Sequence, residues 1–231
     1  MHSIDIIYTS WPRSVERLAY FVVSVESLQA CLKTQGVKVT WHVCIEQSED
    51  LEIVRLLREF CERNEILTWF KHSPPSLSSM LNFANSVGNS KYMLFMQDDW
   101  QAIAKLHLAT CLEHFEKFPE HDVIRLIHRP EFGVDGQRFG PFMELDPTKH
   151  MFYYADNPHI RRRSYLDHTG PFPNSVVDDG TDQGRCENAM NGMAKKLAIT
   201  TGAQKILSVM TRNFAHIGDK NTTLTEKRFD R

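Results

Sequence analysis

The chain opens on a short apolar run, Ile4 to Tyr8, that reads as a β-strand, and Thr9-Ser10-Trp11-Pro12-Arg13 turns away from it. From Ser14 to Leu32 the apolar positions Leu18, Phe21, Val22, Val25 and Leu28 recur at helical spacing, and Gly36 marks the stop. Val37 to Ile45 alternates and is rich in β-branched residues, which predicts a second strand. The acidic Ser48-Glu49-Asp50 suits the capped start of a helix running to Arg63. Ile66 to Phe70 predicts a third strand, Ser73-Pro74-Pro75-Ser76 a turn, and Leu77 to Val87 a helix. Tyr92 to Met96 is uninterruptedly apolar, as in a central strand covered on both faces. It stops at Gln97-Asp98-Asp99-Trp100. A helix over Ile103 to Phe118 and a strand over Val123 to Ile127 follow.

Beyond Pro130 the pattern changes. Glycines, prolines and short β-like stretches fill the segment to Phe152. A helix near Arg163 to His168 and a longer one near Arg185 to Leu197 come next, then two late strands around Ile206 and Phe214. Alternation of strand and helix argues for an α/β fold with a mostly parallel sheet and helices on both faces. Such sheets bind ligands at the carboxyl ends of their strands, where the strand order reverses. No linker or repeat divides the 231 residues. The expectation is one domain, with a donor-binding half over about 1–128 and an acceptor-binding half over about 129–231.

Composition narrows the function classes. A formal net charge of −2 gives no global attraction to nucleic acid or anionic membrane. No apolar run reaches the length of about eighteen residues that a membrane-spanning helix needs, and the first residues lack the pattern of a signal peptide. Cys31, Cys44, Cys61, Cys111 and Cys186 show no metal spacing and, four of them among apolar neighbours, read as reduced thiols of a cytoplasmic protein. The histidines show no zinc spacing such as HExxH.

The strongest chemical signal is Asp98-Asp99 directly after a buried strand. Adjacent acids repel, and a dication relieves that repulsion; Mg²⁺ or Mn²⁺ takes hard oxygen ligands, usually one or two carboxylates plus substrate phosphates. The plainer alternative is that one of the two caps the next helix.

On these residues the chain resembles the GT-A-fold glycosyltransferases, in particular the inverting family 2 type, whose metal motif is DxD or a variant such as EDD. The resemblance runs through Ile4 to Thr9, Arg13, Leu77 to Asn85, the Asp-Asp pair and the region from Asn157 onward, with only the acidic motif specific. Gln97 stands where a strict DxD has its first acid. The resemblance implies Asp99 at the metal and Asp98 at the donor ribose or behind the metal shell. It implies Thr9 and Arg13 in the loop that holds nucleotide and diphosphate, and Asn82 at base or ribose. The alternatives are a solvated arginine at Arg13 and a solvated helix residue at Asn85.

Asn157 to Tyr165 resembles the segment before the acceptor-side helix, and its Arg161 and Arg162 would hold a phosphate or polyanionic acceptor; a solvated helix start is the alternative. Inverting transfer needs a carboxylate to take the acceptor's proton. The family places it in an ED-like pair opening a helix, which implies Glu187, with Asp182 as the second choice. His216, in Asn213-Phe-Ala-His-Ile-Gly218, matches the late histidine that several such enzymes supply to the metal; a structural histidine is the alternative.

The implied function is metal-dependent transfer, with Mn²⁺ or Mg²⁺, from a nucleotide-sugar donor, UDP-linked by family habit, to an acceptor hydroxyl with inversion. The acceptor is soluble or at a membrane surface. It is a glycan precursor or, with Arg161 to Arg163, a hydroxymethylated base in phage DNA, although net charge does not favour nucleic acid. Two other readings are a nucleotidyltransferase, which usually carries a Gly-rich loop that Thr9 to Arg13 lacks, and a silent sugar- or nucleic-acid-binding module of the same fold.

Overall fold

The computed structural model describes residues 2–12, 14–46, 50–71, 76–127, 136–151, 153–155, 157–173 and 182–218, with the backbone alone at 182–185. The apolar runs become the strands β1 (His2–Ser10), β3 (Val37–Glu46), β4 (Leu67–Lys71), β5 (Tyr92–Gln97) and β8 (His121–Arg125). Between them lie α1 (Val15–Cys31), α2 (Leu51–Arg63), α3 (Leu77–Ser86) and α4 (Leu108–Lys117). The short strands are β2 (Leu32–Lys33), β6 (Trp100–Ala102), β7 (Leu106–His107), β9 (Arg138–Phe139) and β10 (Phe142–Glu144). After them come β11 (His159–Arg162), α5 (Tyr165–Thr169), α6 (Asp182–Thr201), β12 (Lys205–Val209) and β13 (Phe214–His216).

One nine-stranded sheet, ordered β4-β3-β1-β5-β11-β8-β12-β10-β9, takes strands from both halves of the chain. β4, β3, β1 and β5 run parallel, β11 reverses, and β8 and β12 resume the first direction. Alternate side chains of a strand point to opposite faces. Ile4, Ile6 and Tyr8 of β1 and Leu94 and Met96 of β5 therefore meet Phe21, Val25, Leu57, Leu112 and Phe115 of α1, α2 and α4. Ile7, Met93 and Phe95 face Met80, Leu81, Met190 and Ala194 of α3 and α6 on the other side. Burying each such side chain contributes about 1.5–3 kcal/mol, which is why the middle strands are apolar throughout.

Local signals fix the helix starts. Ser14 accepts from the Arg17 amide to cap α1, and Asp50 accepts from the Glu52 and Ile53 amides to cap α2.

Two expectations change. The helix expected from Ile103 starts at Leu108, because β6 pairs with β13 and β7 pairs with β2, and those ladders claim the backbone groups first. The arginine segment, expected to precede a helix near Arg163 and alternatively to start it, is β11, an antiparallel strand between β5 and β8. Its polar sequence hides a central strand, since Arg161 is only 2% exposed. α5 begins after it, at Tyr165. Among the described residues no helix is long and apolar enough to cross a membrane, and all five cysteines are free.

Candidate active site

Strand order reverses at β1, since β3 and β4 lie to one side and β5 to the other. The carboxyl ends of β1 and β5 therefore form the crevice where open α/β sheets place ligands. Thr9 sits opposite Gln97 there, and Asp98 and Asp99 follow as a turn between β5 and β6.

Asp98 is 2% exposed. Its Oδ2 accepts from Ser10 Oγ at 2.9 Å and its Oδ1 from Arg17 Nη2 at 2.6 Å. Asp99 Oδ2 faces Arg17 Nη1 at 3.3 Å and His216 Nε2 at 3.2 Å. Asp99 Oδ1 is buried and makes no hydrogen bond among the described residues. His216 reaches this point because β13 pairs with β6, setting His216 opposite Trp100, and because the Ile217 amide donates to the Asp99 carbonyl at 2.8 Å. The imidazole packs edge-on against Trp100, with ring centroids 5.0 Å apart. Gly218 lets the chain pass this close: a Cβ there would lie 2.9 Å from Asp99 Oδ2 and from His216 Cε1.

The two acids differ electrostatically. Burial pushes Asp98 up, and the neighbouring Asp99 charge pushes the same way, against Arg17 and the Ser10 hydroxyl. Burial also acts on Asp99, but His216 and then Arg17 outweigh it and hold that carboxylate down. Arg17 itself is raised further: burial lowers it, and the two aspartates more than compensate. The repulsion that the sequence left to a dication is therefore answered in part by the protein's own arginine.

Arg17 escaped the sequence reading. The signal was present in outline, since it lies in the first turn of α1, one turn beyond Arg13. Helical periodicity, however, marks only the apolar stripe and leaves a charged neighbour of that stripe looking solvated.

The remaining candidates are placed as follows. Thr9 is buried at the end of β1, beside the acidic turn. Arg13 lies outside the described residues. The Asn82 amide is engaged at both ends by the Phe172 backbone, donating to its carbonyl at 2.9 Å and accepting from its N–H at 2.8 Å. Arg161 Nη2 donates to Asn85 Oδ1 at 2.8 Å. Arg162 donates to the His121 and Phe115 carbonyls and pairs with Asp122 at 3.0 Å. Arg161 and Arg162 pair with Met93 and Tyr92 at the far end of β5, and five residues of strand from Met93 to Asp98 span roughly 16 Å. The structure thus separates both arginines from the acidic turn and gives them sheet-bracing partners. Glu187 lies half-buried in the second turn of α6, between buried Cys186 and exposed Asn188. Asp182 is the first residue of that helix, and its side chain is outside the described set.

Among the described residues no three His, Cys, Asp or Glu side chains are grouped to hold a metal by themselves. The chemistry of the donor set still fits one held jointly with a ligand. Asp99 offers a buried oxygen with no hydrogen bond among the described residues, and His216 Nε2 lies 3.2 Å from its other oxygen. Mg²⁺ and Mn²⁺ in nucleotide sites take one or two protein carboxylates, with phosphates and water completing the shell.

No family model and no curated protein matches the chain. Solved structures match in fold. Residues 1–349 of S. aureus TarS in complex with UDP superpose with a TM-score of 0.60 at 15% identity, over 93% of this chain and 59% of that one. The same TarS segment in complex with UDP-GlcNAc gives 0.56 at 15% identity, over 95% and 60%. The mannosyltransferase PcManGT from Pyrobaculum calidifontis, in complex with GDP-Man and Mn²⁺, gives 0.59 at 14% identity, over 94% and 57%. The chain spans three-fifths of these proteins or less. At such identities the likeness is one of fold, and the fold is of the GT-A glycosyltransferase type.

Proposed function

We propose that the protein is a metal-dependent glycosyltransferase that moves a sugar from a nucleotide-sugar donor to an acceptor hydroxyl. The observation that carries this reading is the Asp98-Asp99 turn at the strand-order reversal, with His216 brought to it from the far end of the described chain. TarS and PcManGT, whose fold the chain shares, were solved with UDP, UDP-GlcNAc and GDP-Man. A UDP-linked donor remains the first choice.

In this reading Asp99 and His216 hold Mn²⁺ or Mg²⁺ together with the donor diphosphate. When bound, the ion neutralises charge developing on the leaving diphosphate. Asp98, fixed by Ser10 and Arg17, keeps Asp99 in place or meets the donor ribose. Arg17, 25% exposed at its side chain, presents the remaining positive charge to the phosphates. Thr9 and Arg13 border the nucleotide. Glu187, or Asp182 at the same helix opening, takes the proton of the acceptor hydroxyl as its oxygen bonds the anomeric carbon. The bond from that carbon to the diphosphate breaks, giving inversion. The enzyme acts in the cytoplasm on a soluble or membrane-surface acceptor. The positions of Arg161 and Arg162 in the sheet direct the acceptor search toward glycans and away from nucleic acid.

The test is a thermal-shift and donor-hydrolysis series with UDP-glucose, UDP-GlcNAc and GDP-mannose, with and without Mn²⁺. A ligand at a hundred times its dissociation constant stabilises by about 2.7 kcal/mol, a readily measured shift. A metal-dependent shift and slow release of nucleoside diphosphate are expected. Full donor turnover in excess chelator would sink the metal assignment.

A further inference from the structure

The α3 side of the sheet carries a second concavity, a pocket of about 510 Å³. Its floor is the row of side chains that β1, β3 and β4 turn to that face: Asp5, Thr40, His42, Leu67 and Trp69. Its wall is the last turn of α3 and the loop after it, where Phe83, Ser86 and Asn89 line the opening. Asp5 pairs with Met93 in register, so this pocket lies about five strand residues, roughly 16 Å, from the Asp98-Asp99 turn.

The lining has a specific chemistry. Trp69 is 40% exposed and Leu67 50%, both on the edge strand, which is unusual for large apolar side chains. The Trp69 indole N–H donates to His42 Nδ1 at 3.1 Å. Indole nitrogen donates only, so the neutral ring carries its hydrogen on Nε2. That Nε2–H is buried and directed at the Asp5 carboxylate, with Oδ1 3.4 Å away, so His42 is held between Trp69 and Asp5. Asp5 is already engaged by Arg163 Nη2, at 2.7 Å, and by both Ser90 donors. The pocket therefore offers an aromatic face and the polar groups of Thr40, Ser86 and Asn89. None of the described lining residues is Lys or Arg.

These features select among ligands. A phosphate or carboxylate would find no Lys or Arg among the described lining residues, and the nearby Arg163 is already committed to Asp5. A purely apolar ligand would leave the lining hydroxyl and amide groups without partners. A pyranose satisfies both demands, with a C–H face to lie on the Trp69 indole and hydroxyls for Thr40 and Asn89. The volume is within the range of small-ligand sites.

We propose that this pocket is a binding site for a neutral pyranose unit of a glycan, separate from the Asp98-Asp99 turn. The site stands on its own lining and does not require that transfer occurs. If transfer occurs, the site holds a glycan at a point remote from the reacting sugar.

The experiment is an NMR titration of the indole N–H resonances with cellotriose, maltotriose and tri-N-acetylchitotriose. At least one should move the Trp69 resonance with a dissociation constant of about 1 mM, the range of a single stacked sugar with few hydrogen bonds. Trp69→Ala removes the platform, and Ser86→Trp fills the pocket from an exposed helix position. Each should weaken binding at least tenfold, and Asp99→Ala should leave it unchanged. Should Trp69→Ala fail to fold, Ser86→Trp decides alone. No shift with any of the three sugars in the folded protein overturns the proposal, as does binding that survives Ser86→Trp. Binding that Asp99→Ala abolishes would assign the sugar to the acidic turn and overturn the separate site.

Discussion

Two buried aspartates sit at opposite ends of the same strand pair, and each faces an arginine. At the amino end Asp5 accepts from Arg163 and from the Ser90 amide and hydroxyl. Gly88, at φ +75°, passes so close that a Cβ would lie 2.2 Å from Asp5 Oδ2. At the carboxyl end Asp98 is similarly held, but one buried oxygen of Asp99 makes no hydrogen bond among the described residues, and the other is shared between Arg17 and His216. The first cluster is a closed structural bracket joining β1, the loop before β5 and the end of β11. The second lies at a strand-order reversal and leaves one carboxylate oxygen with no hydrogen bond among the described residues. What separates a structural carboxylate from a chemical one is thus the state of its last lone pairs, not its burial or its pairing with arginine.

The comparison breaks most sharply at Asp99. Asp99→Ala should reduce donor turnover by about 10²–10³-fold with a smaller loss of ligand-free stability than at Asp5, because Arg17 keeps Asp98 as its counter-charge. A clear loss of stability with little loss of turnover would make the two clusters alike. Glu187→Gln should lower kcat by about 10²-fold or more with donor affinity nearly unchanged. If Asp182→Asn is inactive and Glu187→Gln is not, the base is Asp182.

At the other cluster the expected effect is on stability. Asp5→Asn should destabilise by about 3 kcal/mol, measured by urea unfolding, because it leaves Arg163 short of its counter-charge, with turnover per folded molecule preserved.

A pH series sharpens this. Burial alone pushes Asp5 up, but His42 and the two Ser90 donors outweigh it and lower its pKa from 3.8 to about 2. A depressed carboxylate stabilises the fold above its unfolded pKa. About 2 kcal/mol should therefore be present above pH 4 and be lost progressively as pH falls through 3.8 toward 2. Melting curves of Asp5→Asn should lack that component.

The smallest change expected is at Asn82. Asn82→Ala should cost about 1–2 kcal/mol of stability, through the two unpaired Phe172 backbone groups. Donor affinity in a thermal-shift titration should stay the same. A selective loss of donor affinity would return Asn82 to the nucleotide.

The first half of the fold was legible because its signals are local and redundant. The Tyr92 to Met96 run, the Ser14 and Asp50 caps and the helical stripe of α1 each state one element within a few residues. Where the chain forms short ladders with distant partners, legibility failed. Residues 103–107 read as helix because nothing near them announces β13 or β2. β11 was not read as a strand because a central strand built on His159, Ile160, Arg161 and Arg162 is recognisable only when Asn85, Asp122 and the Phe115 carbonyl are seen waiting for its guanidinium groups.

The candidate site divides in the same way. The sequence by itself determined that two acids end a buried strand at a ligand-binding edge, since hydrophobic periodicity and residue chemistry are both properties of neighbouring residues. Only the tertiary structure decided that Ser10, Arg17 and His216 surround those acids, that one oxygen of Asp99 makes no hydrogen bond among the described residues, and that Arg161 and Arg162 brace the sheet at its other end. Such contacts join residues about eighty to a hundred and twenty positions apart in the chain. The free energy of a hydrogen bond or ion pair depends on distance and burial in space, and no local pattern along the chain encodes either.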